Sequence, residues 1–124
     1  MVPQNLKFTK EHEWVKIDGD IAIMGITEFA QGELGDIVFV ELPQIGDDVT
    51  QFEAMGTIEA VKAVSDVFAP ISGEIVEINE TLDATPEIVN REPYEGGWFV
   101  KIKMSDITDL DELLSADDYS KIIE

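Results

Sequence analysis

The sequence predicts a mainly β protein, a sandwich or flattened barrel with short helices at its periphery and C-terminus. Many short runs of alternating or β-branched residues are separated by glycine and proline turns. The strongest of these strands is Asp36–Leu42 (DIVFVEL), which lies between Gly35 and Pro43. The chain has 124 residues, 44% of them hydrophobic, which suits one modest core. We therefore expect a single domain over residues 1–124.

The first quarter of the chain predicts a β-hairpin followed by a short helix. Trp14–Asp18 and Ile21–Met24 are joined by a Gly-Asp turn pair. Thr27 can cap a helix of one or two turns, which Gly32 or Gly35 would end.

Three further strands are expected in the middle of the chain, in Val49–Ile58, Val67–Pro70 and Ile75–Ile78. Glu59–Asp66 (EAVKAVSD) would separate the first two. Gly73 is expected to occupy the turn before the third strand.

The last third predicts a helix, a strand and a helical C-terminus. Thr85 is the expected cap of a helix with Pro86 at its first position, ending before Pro93. Trp98–Met104 alternates as a strand does. The helical segment covers about 106–124, with Ser115 as a cap and an acidic residue at the capping-box position three residues later.

Composition excludes several classes of function. Eight basic against 27 acidic residues give a net charge of −19, which repels nucleic acids and anionic membranes. There is no cysteine, so disulfides, thiolate metal sites and cysteine nucleophiles are absent. No segment has the length and apolarity of a membrane span or signal peptide, and we expect a soluble intracellular protein.

Few residues suggest catalysis or metal binding. His12 beside Glu13 would be the base of a small hydrolase, but a lone histidine among acidic residues is more often structural. The pairs Asp47-Asp48 and Asp117-Asp118 lack the spacing of a calcium loop. No catalytic residue and no metal site are predicted.

One lysine stands apart from the others. Lys62 is the only lysine between Lys16 and Lys101, and it lies among small and apolar residues between two expected strands. A tight connection there would expose a reachable primary amine, on which an amide bond would build a long mobile tether. By its spacing alone, a lysine of this kind is more often an ordinary surface residue.

The surroundings of this lysine resemble a known family. Ile58–Asp66, with Ala69–Asn79 after it, closely resembles the lipoyl-attachment region of the H proteins of the glycine cleavage system. The similarity continues in the same order through nearly the whole chain: Glu11–Val15, Gly25–Thr27 with Ala30-Gln31, Gly35–Pro43 and Pro93–Trp98.

The resemblance implies a barrel-sandwich hybrid, the fold of lipoyl domains, with a lipoyl hairpin near 58–66. Lys62 would carry lipoate in amide linkage, and the chain would be a non-catalytic carrier rather than an enzyme. It would shuttle an aminomethyl group from the glycine decarboxylase (P protein) to the aminomethyl transferase (T protein). Reducing equivalents would go to dihydrolipoyl dehydrogenase (L protein), and lipoylating enzymes would be further partners.

Four other residues receive roles by the same resemblance. Glu59 and Gly73 match positions that lipoylating enzymes are thought to read, and Glu13 and Asp66 match positions that line the cleft where the loaded arm shelters. The N-terminal sequence predicts the bacterial cytoplasm as the location, or the mitochondrial matrix for a processed organellar form.

Three positions depart from the family pattern. Ala60 replaces a common serine, Glu11 stands where serine or threonine is frequent, and Glu33 stands where some relatives have histidine. We therefore transfer no proton-relay role to Glu33.

Several rival readings remain. Biotin carriers flank their lysine with methionines, and lipoyl domains of 2-oxoacid dehydrogenases usually have aspartate before it, whereas here Val61 and Ala63 are its neighbours. An H-like protein that relays lipoyl groups to other complexes, and an unmodified acidic protein-binding module, are the remaining alternatives.

Overall fold

The structure, a computed structural model, describes residues 2–123, which form two antiparallel sheets with short helices around them. The larger sheet has six strands in the order β1-β2-β3-β9-β8-β5, and the smaller has three in the order β4-β6-β7. The strands are β1 Lys7–Phe8, β2 Glu13–Asp18, β3 Ile21–Ile26, β4 Ile37–Glu41, β5 Asp48–Val49, β6 Ala54–Ala60, β7 Val64–Phe68, β8 Gly73–Ile78 and β9 Val100–Met104.

The predicted hairpin near the N-terminus is confirmed as β2 and β3. Asp18 pairs with Ile21 across a turn at Gly19. β9 then adds to the free edge of β3, with Met24 opposite Val100. β9 is also shorter than predicted, because Trp98 and Phe99 precede its first residue.

The lysine hairpin is longer and tighter than predicted. Glu59–Asp66 was expected to separate two strands, but β6 continues to Ala60 and β7 begins at Val64. Glu59 pairs with Val64, and Ile58 pairs with Ser65. Small and polar residues are tolerated in these strand ends because only one face of the hairpin is buried.

Helix α1, Glu28–Leu34, confirms the predicted capping. The Thr27 side chain accepts a hydrogen bond from the Ala30 amide, and Gly35 follows the last turn.

The predicted cap at Thr85 is wrong. Two short helices flank it, α2 Thr81–Ala84 and α3 Ile88–Arg91, and Thr85 is the C-cap of α2. Its amide donates to Thr81 O at 2.9 Å. Pro86 begins the turn into α3 rather than the helix itself, because Ile88 N already bonds to Thr85 O.

The C-terminal segment consists of a 3-10 helix, Ile107–Glu112, and helix α4, Ala116–Ile122. Ser115 caps α4 as predicted, accepting a hydrogen bond from the Asp118 amide at 3.1 Å. The last residue of the predicted segment lies outside the described residues.

Apolar side chains form two clusters. The main core lies between the two sheets and includes Val15, Met24, Ile58 and Ile102. A second cluster lies beneath α4. Its four large buried side chains are Leu6, Phe8, Trp14 and Tyr119, and Tyr119 is part of α4 itself. Consecutive residues of β2 thus enter different clusters, because their side chains point to opposite faces of the strand.

Within residues 2–123, no helix combines the length and the apolarity that a membrane crossing requires.

Candidate functional site

Lys62 lies at the tip of the β6–β7 hairpin, in a connection of three residues, 61–63. The Ala60 amide donates to Ala63 O at 2.9 Å and closes this connection. The lysine is exposed, and its neighbour Val61 is 72% exposed. A short closed turn of this kind holds the backbone in place while leaving the amine free.

The hairpin tip contacts the junction between α1 and β4, which stabilises it. The Val61 amide donates to Asp36 O at 3.0 Å. Gly35 adopts φ 82° and ψ −158°, and a Cβ there would lie 3.3 Å from Cγ and Cδ of Lys62. The aliphatic stem of the lysine therefore runs directly over this glycine.

The side chain of Asn90, on α3, forms hydrogen bonds to the same junction. Its side-chain oxygen accepts from the Ile37 amide at 2.9 Å, and its side-chain nitrogen donates to Gly35 O at 2.9 Å and to Gln31 Oε1 at 2.8 Å. One amide side chain thus ties α1, α3 and β4 together beneath the lysine.

The two residues predicted to guide lipoylation lie in different environments. Glu59 is exposed on β6, three residues before Lys62. Gly73 is buried at the start of β8 in the other sheet, so its predicted place in a turn is wrong. A Cβ at Gly73 would overlap the backbone oxygen of Lys103, which no side chain tolerates. The glycine is required by the close approach of β8 to β9.

Glu13 is a buried carboxyl at the start of β2, and only 2% of the residue is exposed. Thr9 Oγ1 donates to its Oε1 at 2.5 Å, and the Phe68 amide donates to its Oε2 at 3.2 Å. Burial raises the pKa of Glu13 to about 7, and these two hydrogen bonds oppose the shift. The group therefore holds its proton to a higher pH than an exposed carboxyl does.

Asp66, the other predicted cleft residue, is exposed on β7, two residues before Phe68. Side chains two apart on a strand share a face and lie roughly 7 Å apart along it. The structure thus brings Glu13 to the strand that carries Asp66, at the position of Phe68.

A cavity of about 320 Å³ opens beside the hydrogen-bond partners of Glu13. The residues that line it are Thr9, Lys10, Glu11, Phe52, Phe68, Glu112 and Leu114. It combines apolar walls with a hydroxyl, two acidic side chains and one basic side chain, which suits an elongated organic group with a polar end.

His12 does not form a relay with Glu13. Its Nδ1 lies 2.9 Å from the Tyr119 hydroxyl, which also lies 2.7 Å from Thr27 Oγ1. Desolvation lowers the pKa of His12, although Glu11 and Glu33 oppose the shift. With φ 71°, His12 is held in the left-handed region, and its carbonyl accepts from the Thr27 amide at 3.0 Å. Its contacts are those of a structural residue.

Sequence reasoning missed Thr9, Asn90 and Tyr119 as supports of the site. Asn90 carried a weak signal, because asparagine is a poor helix former and usually needs a hydrogen-bonding reason to be there. Tyr119 carried none, since it acts on a residue 107 positions away in the chain. Thr9 is only four residues from Glu13, but no cap or strand pattern indicates that its hydroxyl turns toward that carboxyl.

The remaining family departures lie around this site. Ala60 is half-buried at the end of β6, Glu11 lines the cavity, and the charge of Glu33 acts on His12.

Comparison with known proteins identifies the family of this chain. A family model described as "Glycine cleavage H-protein" matches residues 6–124. The chain is 58% identical over 122 residues to a glycine cleavage system H protein of Staphylococcus carnosus, covering 98% of this chain and 97% of that one. It is 52% identical over 124 residues to one of Carboxydothermus hydrogenoformans, covering 100% and 95%.

A solved structure gives the same result for the fold. The crystal structure of a glycine cleavage system H protein from Mycobacterium marinum superposes with a TM-score of 0.89, at 37% identity, covering 97% of each chain. This confirms the lipoyl-domain-like barrel-sandwich predicted above. The chain belongs to the glycine cleavage H-protein family.

Proposed function

We propose that this chain is a non-catalytic carrier whose lipoyl group is attached to Lys62 by an amide bond. The observation that carries the proposal is the exposed lysine at the tip of a closed hairpin connection. The amine is free to react, and the backbone beneath it is held by Val61 and Asp36. A modified lysine would therefore swing from a fixed point.

The residues around Lys62 fit an acyl chain. Gly35 lies under the lysine stem, and the neighbouring Val61 and Val64 are 72% and 67% exposed. These apolar surfaces suit the aliphatic part of a lipoyl arm, since they remove it from water. When bound, the lipoyl group supplies a dithiolane that carries the one-carbon unit and two electrons, while the protein orients it.

The proposed partners follow from the family. The arm would take an aminomethyl group from the glycine decarboxylase and pass it to the aminomethyl transferase. It would then deliver reducing equivalents to dihydrolipoyl dehydrogenase. The net charge of −19 supports partners with basic surfaces. The relatives described above are bacterial, which supports action in a bacterial cytoplasm.

We further propose that the loaded arm rests near Glu13 and Asp66. The arm then ends in a protonated amine, and a carboxylate with little access to water is a strong partner for such a cation. Glu13 is buried beside the 320 Å³ cavity, and Asp66 lies on the adjoining strand. Docking of a cation there would favour the ionised form of Glu13.

Recognition by lipoylating enzymes is assigned to Glu59 directly and to Gly73 indirectly. Glu59 is exposed and close to Lys62 in the chain. Gly73 has no side chain and is buried, so it would act by keeping β8 and β9 in contact and thereby shaping the surface.

Tryptic mass spectrometry of protein from bacteria supplied with lipoate tests the attachment. Trypsin does not cleave after an acylated lysine, so we expect Ile17–Arg91 as one peptide, heavier by one lipoyl group. In the matched Lys62→Arg protein, the same region should give two unmodified peptides. Complete cleavage after Lys62, in cells with an active lipoate ligase, would contradict the proposal.

A further inference from the structure

The outward face of the three-stranded sheet carries an unusual row of side chains. Phe39 on β4 pairs with Glu59 on β6, and Glu59 pairs with Val64 on β7. Directly opposed residues on neighbouring strands place their side chains on the same face, about 5 Å apart. Phe39, Glu59 and Val64 therefore form one continuous row beside the hairpin tip.

The row is apolar except for its centre, and it is open to water. Phe39 is 45% exposed and Val64 is 67% exposed. Val38, at the irregularity where β4 shifts register, is 56% exposed and adjoins Phe39 in the chain. We call these four residues, Val38, Phe39, Glu59 and Val64, the carrier face.

Acidic groups border the carrier face. In the next row of the same sheet, Glu41 pairs with Thr57, which pairs with Asp66, and both acids are exposed. The carrier face therefore has an apolar row with one carboxylate at its centre and further carboxylates at its border. A partner that binds it needs a surface of complementary shape and charge. That complement is an apolar surface with a basic side chain opposite Glu59 and further basic groups at its rim.

The length of the lysine decides which partner must touch this face. Before loading, Lys62 has only its four-carbon stem, so an enzyme that acylates it must bring its active site against the hairpin. After loading, the acyl chain roughly doubles the reach, and enzymes that use the arm can stand farther from the sheet. The enzyme that acylates the unmodified lysine is therefore the partner that must contact the face nearest to Lys62.

We propose that the carrier face is the docking surface for the enzyme that transfers the lipoyl group to Lys62, with Phe39 and Val64 as its apolar contacts and Glu59 as its charged contact. This inference rests on the proposed lipoyl carrier function. It adds to the single carboxylate an apolar contact area that reaches β4, a strand on the far side of β6 from β7.

Kinetics of loading test the inference. Unmodified protein would be incubated with a bacterial lipoate–protein ligase, lipoate and ATP, and the rate followed against carrier concentration. We expect the double variant Phe39→Ser, Val64→Thr to raise the KM for the carrier at least about tenfold with little change in kcat. Glu59→Gln should raise the KM and weaken its dependence on salt.

Matched controls come from exposed apolar residues elsewhere. Val76, on β8 of the other sheet, is 37% exposed, and Ile107, in the 3-10 helix, is 66% exposed. The double variant Ile107→Ser, Val76→Thr should be loaded like the wild type. Circular dichroism and acetylation of Lys62 by a small reagent would show whether each variant is folded with a reactive amine.

Each outcome bears on one statement. A folded carrier-face variant with wild-type KM would overturn the docking surface and leave the carrier function standing. Equal losses in the test and control variants would also overturn it. A wild-type chain that the active ligase does not load would contradict the proposed function, and the docking surface with it.

Discussion

The carboxyl of Glu13 shows how a single buried residue makes stability depend on pH. Its pKa is about 7 in the folded protein against an ordinary value of 4.5, with burial as the main cause. Between these two pH values the folded state holds a proton that the unfolded chain has released. Stability from this group is therefore full below about pH 4.5 and is lost as pH rises through about 7.

Replacing Glu13 with glutamine should remove that dependence. The amide keeps the shape and can still pair with Thr9 and the Phe68 amide. We expect the free energy of unfolding of wild type, relative to Glu13→Gln, to fall by about 3 kcal/mol between pH 4.5 and 7.5. Urea unfolding across this range measures the difference.

Other carboxyls also ionise over this range, so the control removes one exposed charge. Glu53 is exposed in the segment between β5 and β6. Glu53→Gln should keep the wild-type pH profile. A constant difference between wild type and Glu13→Gln at all pH values would contradict the assignment.

At the scale of the element, the junction of α1 and β4 depends on one glycine. Gly35, with φ 82° and ψ −158°, lies in a region that is essentially restricted to glycine. Gly32, inside α1, has open space around the position of a Cβ. The same substitution should therefore have opposite signs at the two positions.

We expect Gly35→Ala to destabilise the protein by about 1–3 kcal/mol, because alanine would strain the backbone and press on the stem of Lys62. Gly32→Ala should stabilise it by roughly 0.5–1 kcal/mol, since alanine is the better helix former. The urea concentrations at the unfolding midpoints of the two variants, compared with that of the wild type, test both expectations. A stable Gly35→Ala would show that the junction relaxes without cost.

At the scale of the molecule, β2 links the two apolar clusters. Trp14 is buried beneath α4, while Val15 is buried between the sheets. Tyr119 stacks on Phe8 with ring centroids 4.6 Å apart, so α4 is anchored to the same sheet. Loss of either cluster exposes part of the strand that supports the other.

The chain should consequently unfold as one cooperative unit, as the prediction of a single domain requires. We expect the calorimetric and van't Hoff enthalpies to agree, and tryptophan fluorescence and far-ultraviolet circular dichroism to share one midpoint. An early transition seen by fluorescence alone would indicate that the cluster beneath α4 melts separately.

The sequence predicted the elements whose signals are local. The β2–β3 hairpin, the caps Thr27 and Ser115 and the strong strand β4 were identified because turn, cap and alternation patterns act within a few residues. The prediction for Thr85 was wrong because a threonine before proline can follow the end of one helix as well as precede the start of another. The bounds of the lysine hairpin were missed because Ala60 and Ser65 have weak strand propensity, which pairing with neighbours overrides.

By itself, the sequence determined the family and the lysine that stands alone between two strands. Only the tertiary structure decided that Glu13 is buried against Phe68, that Asn90 holds the junction beneath Lys62, and that Phe39 lies opposite Glu59. The physical reason is distance along the chain. Burial and cross-strand pairing depend on residues far apart in sequence, and no local pattern records which of them will meet.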